Sequence, residues 1–409
     1  MERLIERGAG LDIHKASVTA CVRVPGLTGE RRQEVQTFGT TAAALLALRD
    51  WLSAHGVTHV AMESTGVYWK PVYYVLEEGF TCLLVNPTHV SKVPGRKTDV
   101  RDCEWLAQLL EHGLLRGSFV PPVAIRELRD LTRYRAVLVQ DRTREANRLH
   151  KVLTDAGIQL ASVATNVLGK SGRAMLAALV AGTTDAEVLA NLAQGKLRRK
   201  LPALREALVG RFRKHHALLV SQLLGHLDYL DEALETLTAD IEEALRPFGG
   251  EATRLDAIPG VGPRTAEILI AELGVDMRQF PTARHVASWA GLCPGTHESA
   301  GKRRAVRTGK GNRWLRAALI EAALAAINVR DSALAGRYRR LVRHCGHKKA
   351  IVAVAHKLLT TAYMLLANGR SYHELGASYY DAHRKDRLVR RALQTLAQQG
   401  YRVTLAPAA

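Results

Sequence analysis

The alternation of strand and helix patterns between residues 8 and 115 constrains the fold of this chain most strongly. Residues 10–24, GLDIHKASVTACVRV, alternate apolar and polar positions and predict one long strand; residues 31–40 predict a second. Helix, strand, helix, strand and helix patterns follow, at 41–56, 57–64, 66–79, 80–87 and 98–113, the last with Thr98 as its expected N-cap. Two strands followed by this alternation predict an α/β domain over 8–120, with a mixed sheet flanked by helices.

The rest of the chain has helical patterns, divided by proline-containing boundaries. Pro121 and Pro122 precede a region, 124–248, in which two long segments carry apolar residues at three- and four-residue spacing. Such segments predict an antiparallel pair or a coiled coil that dimerises. The less regular stretch near 165–200 is expected to be exposed and mobile. After a second boundary near Pro247, the patterns predict a basic helical domain at 251–345 and a C-terminal helix with a polar tail at 346–409.

Charge and cysteine content limit the classes of function. Lys and Arg number 58 against 39 Asp and Glu, giving a formal net charge of +19. Proteins this basic usually bind a polyanion, although a basic enzyme without one is the alternative. The five cysteines form no C-x-x-C pair, which argues against a disulfide framework or structural zinc and fits a reducing cytoplasm. We see neither a signal peptide nor an apolar run near ~20 residues, so no membrane is expected.

Four carboxylates fall at the ends of predicted elements in the first domain. Asp12 lies in the first strand, Glu63 ends another strand, and Asp99 and Asp102 open the following helix. Such a cluster would repel itself unless cations compensate it, and oxygen-only ligands suit Mg²⁺ or Mn²⁺. Two such ions activate the attacking oxygen and stabilise the leaving one in phosphoryl transfer. The alternative for the two helix aspartates is a simple preference for the helix N-terminus. His14 and Lys15, beside Asp12, fit an ordinary strand-edge role better than phosphate contact.

A short glycine motif in the basic domain resembles a helix-hairpin-helix. Its core is Ile258-Pro259-Gly260-Val261-Gly262-Pro263. Gly260 and Gly262 permit a tight turn and close backbone approach, and the free N–H groups of the helix starting at Pro263 can hold a phosphate. The motif favours DNA contact without sequence preference; an ordinary helical hairpin is the alternative.

Ser299 lies in a loop that is crowded with cations. A dense set of positive charges favours phosphate binding and stabilises charge on a transferring phosphoryl group. By spacing alone, Ser299 is more typical of a turn or cap residue than of a nucleophile, and we do not assign the nearby His297 as its base. The cations are Lys302, Arg303, Arg304, Arg307, Lys310, Arg313 and Arg316.

Several of these segments resemble one family of bacterial proteins. LDIHK, MESTGVYW and NPTHVSKVPGRKTDVRDCEWLAQLL resemble the catalytic segments of DEDD-type insertion-sequence transposases of the IS110 family, which includes the pilin-gene invertases. ASWAGLCPGTHESAGKRR resembles the family's C-terminal transposase-20 domain. The resemblance implies a RuvC-like first domain, in which the four acids fall on Asp12, Glu63, Asp99 and Asp102 with no departure, and a nucleophilic serine at Ser299.

The resemblance also implies a mechanism and partners. The acids would hold Mg²⁺ at the scissile phosphate while Ser299 forms a serine-linked DNA intermediate. The implied partners are donor and target DNA, a structured noncoding bridge RNA as guide, and homodimers pairing into a tetramer in the bacterial nucleoid. The arginines at 126–151 and 196–214 are candidate RNA contacts, although the sequence does not separate this from DNA contact or a solvated helix face. Two alternatives stay open: a RuvC-like junction nuclease that uses water, and a noncatalytic nucleic-acid-binding scaffold.

Overall fold

The computed structural model divides into two compact units, residues 1–121 and 122–409. It describes residues 3–26, 30–64, 66–87, 102–295, 297–299, 302–304 and 308–404, but not the side chains of 297–299, 302–304 and 380–388. The first unit is a mixed α/β domain and the second is helical apart from a two-stranded hairpin, so the predicted fold class is confirmed at this level.

The first unit is built on a six-stranded sheet in the order β3-β2-β1-β4-β5-β6. The first three strands pair antiparallel, β4 and β5 continue parallel to β1, and β6 pairs antiparallel with β5. The strands are β1 (Gly8–Ile13), β2 (Ser17–Pro25), β3 (Arg31–Gly39), β4 (His59–Glu63), β5 (Thr81–Val85) and β6 (Gly117–Ser118).

The predicted single long strand over residues 10–24 is instead a β-hairpin. Strands β1 and β2 pair from Gly8 opposite Arg23 to Ile13 opposite Val18, and the backbone N–H of His14 donates to the carbonyl of Ser17 at 2.9 Å. The prediction was wrong because the connecting residues include no Gly, Pro, Asn or Asp to mark a turn, while apolar residues continue on both sides.

Helices cover both faces of this sheet. On one face, α1 (Ala42–Ala54) and α2 (Trp69–Leu76) bury leucines and valines against β1, β2 and β4. On the other face, α3 (Asp102–Glu111) buries Leu106, Leu109 and Leu110 against Ala61 and Val85. The strands that carry candidate site residues are therefore held in the middle of three layers.

A buried carboxylate fixes the C-terminal end of α3. Glu111 is 2% exposed and accepts from Arg23 Nε at 2.8 Å, while Arg3 and Arg31 lie at 3.1 and 3.2 Å. Burial by itself would raise the pKa of Glu111, but the hydrogen bond from Arg23 and the charges of Arg23 and Arg31 outweigh it and hold the pKa below its usual value.

The second unit begins with two long helices that pack against each other, α4 (Val123–Asp155) and α9 (Lys214–Leu245). Between them, residues 156–213 form short helices around a hydrophobic core that includes Leu160, Met175 and Leu204. Residues of the stretch near 165–200 thus pack on a core of their own, so the expectation that this stretch is exposed was wrong. The short helices are α5 (Leu160–Val163), α6 (Lys170–Val180), α7 (Ala186–Asn191), a 3₁₀ turn (Gly195–Lys200) and α8 (Leu201–Leu208).

The C-terminal part of the second unit packs around another hydrophobic core. The N-terminal half of α4 and the C-terminal half of α9 contribute to the same core. The α-helices of this C-terminal part are α10 (Gly249–Asp256), α11 (Pro263–Leu273), α12 (Ala283–Trp289), α13 (Arg313–Ala326), α14 (Ala333–Cys345), α15 (His347–Asn368) and α16 (Tyr379–Gln398). The 3₁₀ turns Arg246–Phe248 and Met277–Gln279 and the hairpin β7 (His297–Ser299) and β8 (Lys302–Arg304) complete it.

Helix α15 is long and apolar enough to cross a membrane by length and composition alone, a run that the sequence analysis overlooked. Its most apolar window is 56% buried, with Val354, Leu358 and Leu359 inside the C-terminal core. A core helix of a globular protein meets the same criteria, so this feature is weak evidence for a membrane span.

Candidate functional site

Two of the predicted acids lie side by side at the carboxyl end of the central parallel strands. Strands β1 and β4 run parallel with Gly10 opposite Ala61 and Leu11 opposite Met62. Asp12 and Glu63 are the next residue on each strand. Since side chains alternate along a strand, both share the sheet face of Gly10 and Ala61, which is the face covered by α3.

Helix α3 brings the third acid to the same edge. A Cβ placed on Gly10 would meet the Cys103 carbonyl and the Ala107 nitrogen, whereas one placed on Gly8 would meet Leu110. The helix therefore runs antiparallel to β1 and begins at the carboxyl end of that strand. Asp102, its first residue, is exposed there beside the strand end that carries Asp12. The absence of a side chain at Gly10 is what allows this close approach.

Acidic side chains gather at this edge of the sheet and make it negatively charged. The Asp12 side chain is 31% exposed, and its Oδ2 lies 3.2 Å from Nε2 of His14. Burial, followed by the charges of Glu104 and Asp12, raises the pKa of the Cys103 thiol to about 11. Glu104 is an acid that the sequence analysis missed; its place in the first turn of α3, two residues after Asp102, was the available signal.

The described donors fit a hard divalent cation. Asp12, Glu63 and Asp102 offer carboxylate oxygens, whereas the neighbouring Cys103 side chain is fully buried against Cys21 and Ala107. Asp99, the fourth predicted ligand, lies outside the described residues, as does Thr98, the expected N-cap. Residues of this type would hold Mg²⁺ or Mn²⁺ through oxygen atoms.

A second group of potential metal ligands lies in the helical unit. Asp155, His215 and His216 place one ligand atom each within 4.8 Å of one another. However, Nδ1 of His216 accepts from the backbone N–H of Arg213 at 3.1 Å, and its Nε2 lies 3.0 Å from Oδ2 of Asp155. Both ring nitrogens of this buried histidine therefore already have protein partners. We assign it to closing the first turn of α9 onto the end of α4.

Ser299 lies on the short β7–β8 hairpin together with three of the predicted cations. Ser299 pairs with Lys302, and the preceding pairs match Glu298 with Arg303 and His297 with Arg304. Ser299 is the last residue of β7, and Lys302 is the first residue of β8. The backbone thus brings Ser299, Lys302, Arg303 and Arg304 onto one small element, whose side chains lie outside the described part, as does Arg307.

The residues that precede and follow this hairpin are bonded to the helical core. Pro294 forms a β-bridge with Thr308, and Arg316 donates from Nη1 to the Gly291 carbonyl and to Thr308 Oγ1, both at 2.8 Å. A Cβ on Gly311 would lie 2.2 Å from the Gly291 nitrogen, so these two backbone segments touch. Arg316, one of the cations in the predicted cluster, closes this loop through these two bonds.

The two cations that follow the hairpin differ in their surroundings. Lys310 is exposed in the loop before α13. Arg313, the first residue of α13, has its guanidinium 4.4 Å from the ring centroid of Trp314, which holds it against an aromatic face.

The two glycines of the hairpin-like motif have different roles. The motif connects α10 to α11, with Gly262 as the N-cap residue and Pro263 in the first turn. Gly260 has φ of +84°, and a Cβ there would lie 2.4 Å from the Ala322 carbonyl of α13, so this glycine is needed for internal packing. A Cβ on Gly262 would meet nothing within 4 Å, which leaves the start of α11 open on that side.

Several arginines of α4 bind α11 rather than projecting into solvent. Arg133 donates to both carboxylate oxygens of the buried Glu272 at 2.7 and 2.8 Å, and Arg129 donates to the carbonyls of Ala271 and Glu272. Arg135 pairs with Glu267, whose pKa burial raises despite this partner. The arginines at 126–151 were candidate RNA contacts, and their two buried glutamate partners were not predicted from the sequence.

Comparison with known proteins places this geometry in a class. Residues 9–158 match the DEDD transposase model of the IS110 type, and residues 252–339 match the transposase model of the IS116/IS110/IS902 family. A RuvC-like sheet with a DEDD acid pattern, followed by this second domain, defines a transposase that acts on DNA. The chain belongs to the IS116/IS110/IS902 family of transposases, as the resemblance in the sequence indicated.

Individual relatives agree with this assignment. The chain is 29% identical over 322 residues to a Pseudomonas aeruginosa protein named a probable family 20 transposase, covering 76% of this chain and 85% of that protein. It is 24% identical over 377 residues to the pilin gene-inverting protein of Moraxella bovis, with 89% and 96% coverage. It is 25% identical over 319 residues to the transposase for insertion sequence element IS1328 of Yersinia enterocolitica, with 76% and 84% coverage.

Proposed function

We propose that this transposase cuts and rejoins DNA through a serine-linked intermediate at a divalent-metal site, guided by a structured bridge RNA. The observation that carries the proposal is the meeting of Asp12, Glu63 and Asp102 at one edge of a RuvC-like sheet. Asp99 belongs to the same proposal on the strength of the DEDD resemblance.

The metal-binding half of the proposal rests on the acid cluster. Bound Mg²⁺, held by the four acids, would activate the attacking oxygen and stabilise the leaving one. The sheet contributes rigidity, since Asp12 and Glu63 lie on central strands that are paired on both sides. Glu111 and its arginines hold the opposite end of α3, which keeps Asp102 in register with them.

The nucleophile half of the proposal rests on Ser299. Its Oγ would form a bond to the scissile phosphorus while a backbone P–O bond breaks. The serine proton leaves to solvent or a base, and the departing sugar oxygen takes up a proton to become a free hydroxyl. Attack by a hydroxyl of another DNA strand then reverses the step, which restores Ser299 and rejoins the backbone. Lys302, Arg303 and Arg304 would balance the phosphate charge.

The proposal also covers how the DNA sequences are chosen and how the subunits assemble. A guide RNA would delegate target and donor recognition to base pairing, with Gly262 and the open start of α11, together with Lys310 and Arg313, contacting nucleic-acid backbone. The serine domain of one subunit would complete the acid site of another within a tetramer formed by two homodimers. Donor DNA, target DNA and the RNA are the expected partners.

The test is a search for covalent protein–DNA adducts on denaturing gels. Purified protein is incubated with DNA of its element, candidate guide RNA and Mg²⁺, and the wild type is compared with Ser299→Ala and Asp12→Asn. We expect an adduct that disappears in both variants and when EDTA is added. Strand cleavage that survives Ser299→Ala without any adduct would instead identify a nuclease that uses water. Nucleic-acid binding without cleavage in the wild type would identify a noncatalytic scaffold.

A further inference from the structure

A cleft in the C-terminal unit presents a stripe of arginines outside the candidate site. On α14, Arg339 and Arg340 lie three and four residues after Gly336, and Arg343 lies four residues after Arg339, so these residues share one face of the helix. With His344 and the start of α16 they line an open cleft of about 460 Å³. This segment is absent from the residues that the sequence analysis proposed for nucleic-acid contact.

The walls of this cleft are fixed by specific contacts. A Cβ on Gly336 would lie 2.4 Å from the Ala377 carbonyl oxygen. The backbone of α14 therefore packs directly against the segment before α16 at this glycine. Glu374 Oε1 accepts from the backbone N–H groups of Ala333 and Gly376 at 2.8 and 2.9 Å, and its Oε2 accepts from Tyr372 at 2.9 Å. The acid of this segment is thereby committed to the backbone, and the two walls are held together.

Two arginines of the cleft lack an acidic partner within the described part of the chain. Arg339 and Arg343 are exposed and form no ion pair among the side chains that the structure describes, unlike Arg133 and Arg135 of α4. Guanidinium groups this close repel one another unless an anion lies between them.

More positive charge lies on the neighbouring helix α15. Burial, together with the charge of Arg337, lowers the pKa of both His356 and Lys357. Lys357 of α15 therefore lies close enough to Arg337 of α14 for their positive charges to repel each other.

We propose that the cleft between α14 and the start of α16 binds phosphodiester groups of a nucleic-acid backbone through Arg339 and Arg343. The inference extends the proposed function, since it assumes that the protein acts on nucleic acid. Guanidinium forks match phosphate oxygens in geometry and charge, and two forks about 6 Å apart along a helix can hold one strand. The bound strand comes from duplex DNA or from structured RNA, which offer the same backbone chemistry.

The test compares salt dependence of binding in matched double variants of the full chain. Arg339→Gln with Arg343→Gln removes two cations from the cleft. The control, Arg246→Gln with Arg278→Gln, removes two cations from exposed sites elsewhere on the same unit. Fluorescence anisotropy measures binding of a labelled duplex DNA and a labelled hairpin RNA across a salt series.

We expect the cleft variant to lower the slope of log affinity against log salt by about 1 to 2 for at least one of the two probes. The control should change it by less than about 0.5. Arg339→Lys with Arg343→Lys, which keeps the charge, should restore most of the slope. The probe that responds identifies the source of the strand. A cleft variant that matches the control on both probes overturns the proposal.

Two further measurements separate a loss of nucleic-acid binding in the cleft from a loss of folding and from a failure of the serine chemistry. Thermal unfolding should leave both double variants within about 3 °C of the wild type, because substitutions at exposed arginines rarely destabilise. The Ser299 adduct assay is read independently. If the wild type forms an adduct but the cleft variant binds both probes as the control does, only the cleft proposal is overturned. If the cleft variant loses salt-dependent binding as expected but the wild type forms no adduct, only the serine chemistry is overturned.

Discussion

Replacing Gly10 by alanine tests whether the close approach of α3 to β1 builds the acid site. The added Cβ would lie 2.2 Å from the Cys103 carbonyl oxygen and 2.5 Å from the Ala107 nitrogen. Both are backbone atoms within the first six residues of α3, so no side chain can rotate to make room. The helix itself must move away from the sheet.

The size of this movement sets the expected effect. Restoring an ordinary contact requires the start of α3 to lift by about 1 Å, and Asp102 moves with it. Misplacing a catalytic group by this distance costs on the order of 100-fold in rate. The strained packing costs about 1–3 kcal/mol of unfolding free energy, which leaves the domain folded.

Gly8→Ala supplies the matched control on the same strand and face. The new Cβ would contact Leu110 Cδ2 at 3.2 Å, the far end of a flexible side chain. The rate of strand cleavage or adduct formation is measured for both variants, with guanidinium unfolding alongside. A Gly10→Ala rate within about threefold of the Gly8→Ala rate would show that the close approach of α3 to β1 does not build the acid site.

Three further substitutions test the packing of charges and glycines. Glu272→Gln should destabilise the second unit by about 2–4 kcal/mol in guanidinium unfolding, because Arg129 and Arg133 lose the charge of a buried partner; Glu243→Gln, in an exposed pair with Arg246, should cost under about 1 kcal/mol. Glu111 has a lowered pKa, so the stability it contributes is present at neutral pH and is lost as pH falls through its folded pKa; thermal unfolding of Glu111→Gln should show a smaller loss in acid than the wild type. Gly260→Ala should cost over about 2 kcal/mol, through contact and positive φ, while Gly262→Ala should cost under about 1 kcal/mol.

Each of these has a contrary result. Equal effects of the two glutamate variants in the second unit would show that the buried Glu272 pair contributes no more than a surface pair. An unchanged acid transition in Glu111→Gln would remove that carboxylate from the pH dependence. A Gly262 variant as unstable as the Gly260 variant would contradict the open space found at Gly262.

Local patterns were sufficient to predict most elements of the first domain. The helix beginning after Thr41 and the strand ending at Glu63 follow directly from capping and apolar periodicity, and both are present. The hairpin at residues 14–16 was not predictable in the same way, because its turn carries no residue that requires a special backbone conformation. Apolar alternation gives the period of a strand but not the point at which the chain reverses.

The acidic residues of the site could be identified from the sequence, but their proximity in space could not be predicted from it. Asp12, Glu63 and Asp102 were selected by position at element ends and by the family resemblance. That they share an edge depends on the parallel register of β1 with β4 and on the direction of α3, both of which are set by contacts distant in sequence. A one-residue change of register would turn Asp12 to the opposite face.

Charge shows the same division between sequence and tertiary structure. The sequence by itself determined the excess of 58 basic over 39 acidic residues and hence a polyanionic partner. Only the fold decided which arginines are free to meet that partner. Arg129 and Arg133 are committed to the buried Glu272 of α11, whereas Arg339 and Arg343 face an open cleft. The physical reason is that an ion pair requires two groups within a few ångströms, and such pairs join residues more than a hundred positions apart in the chain.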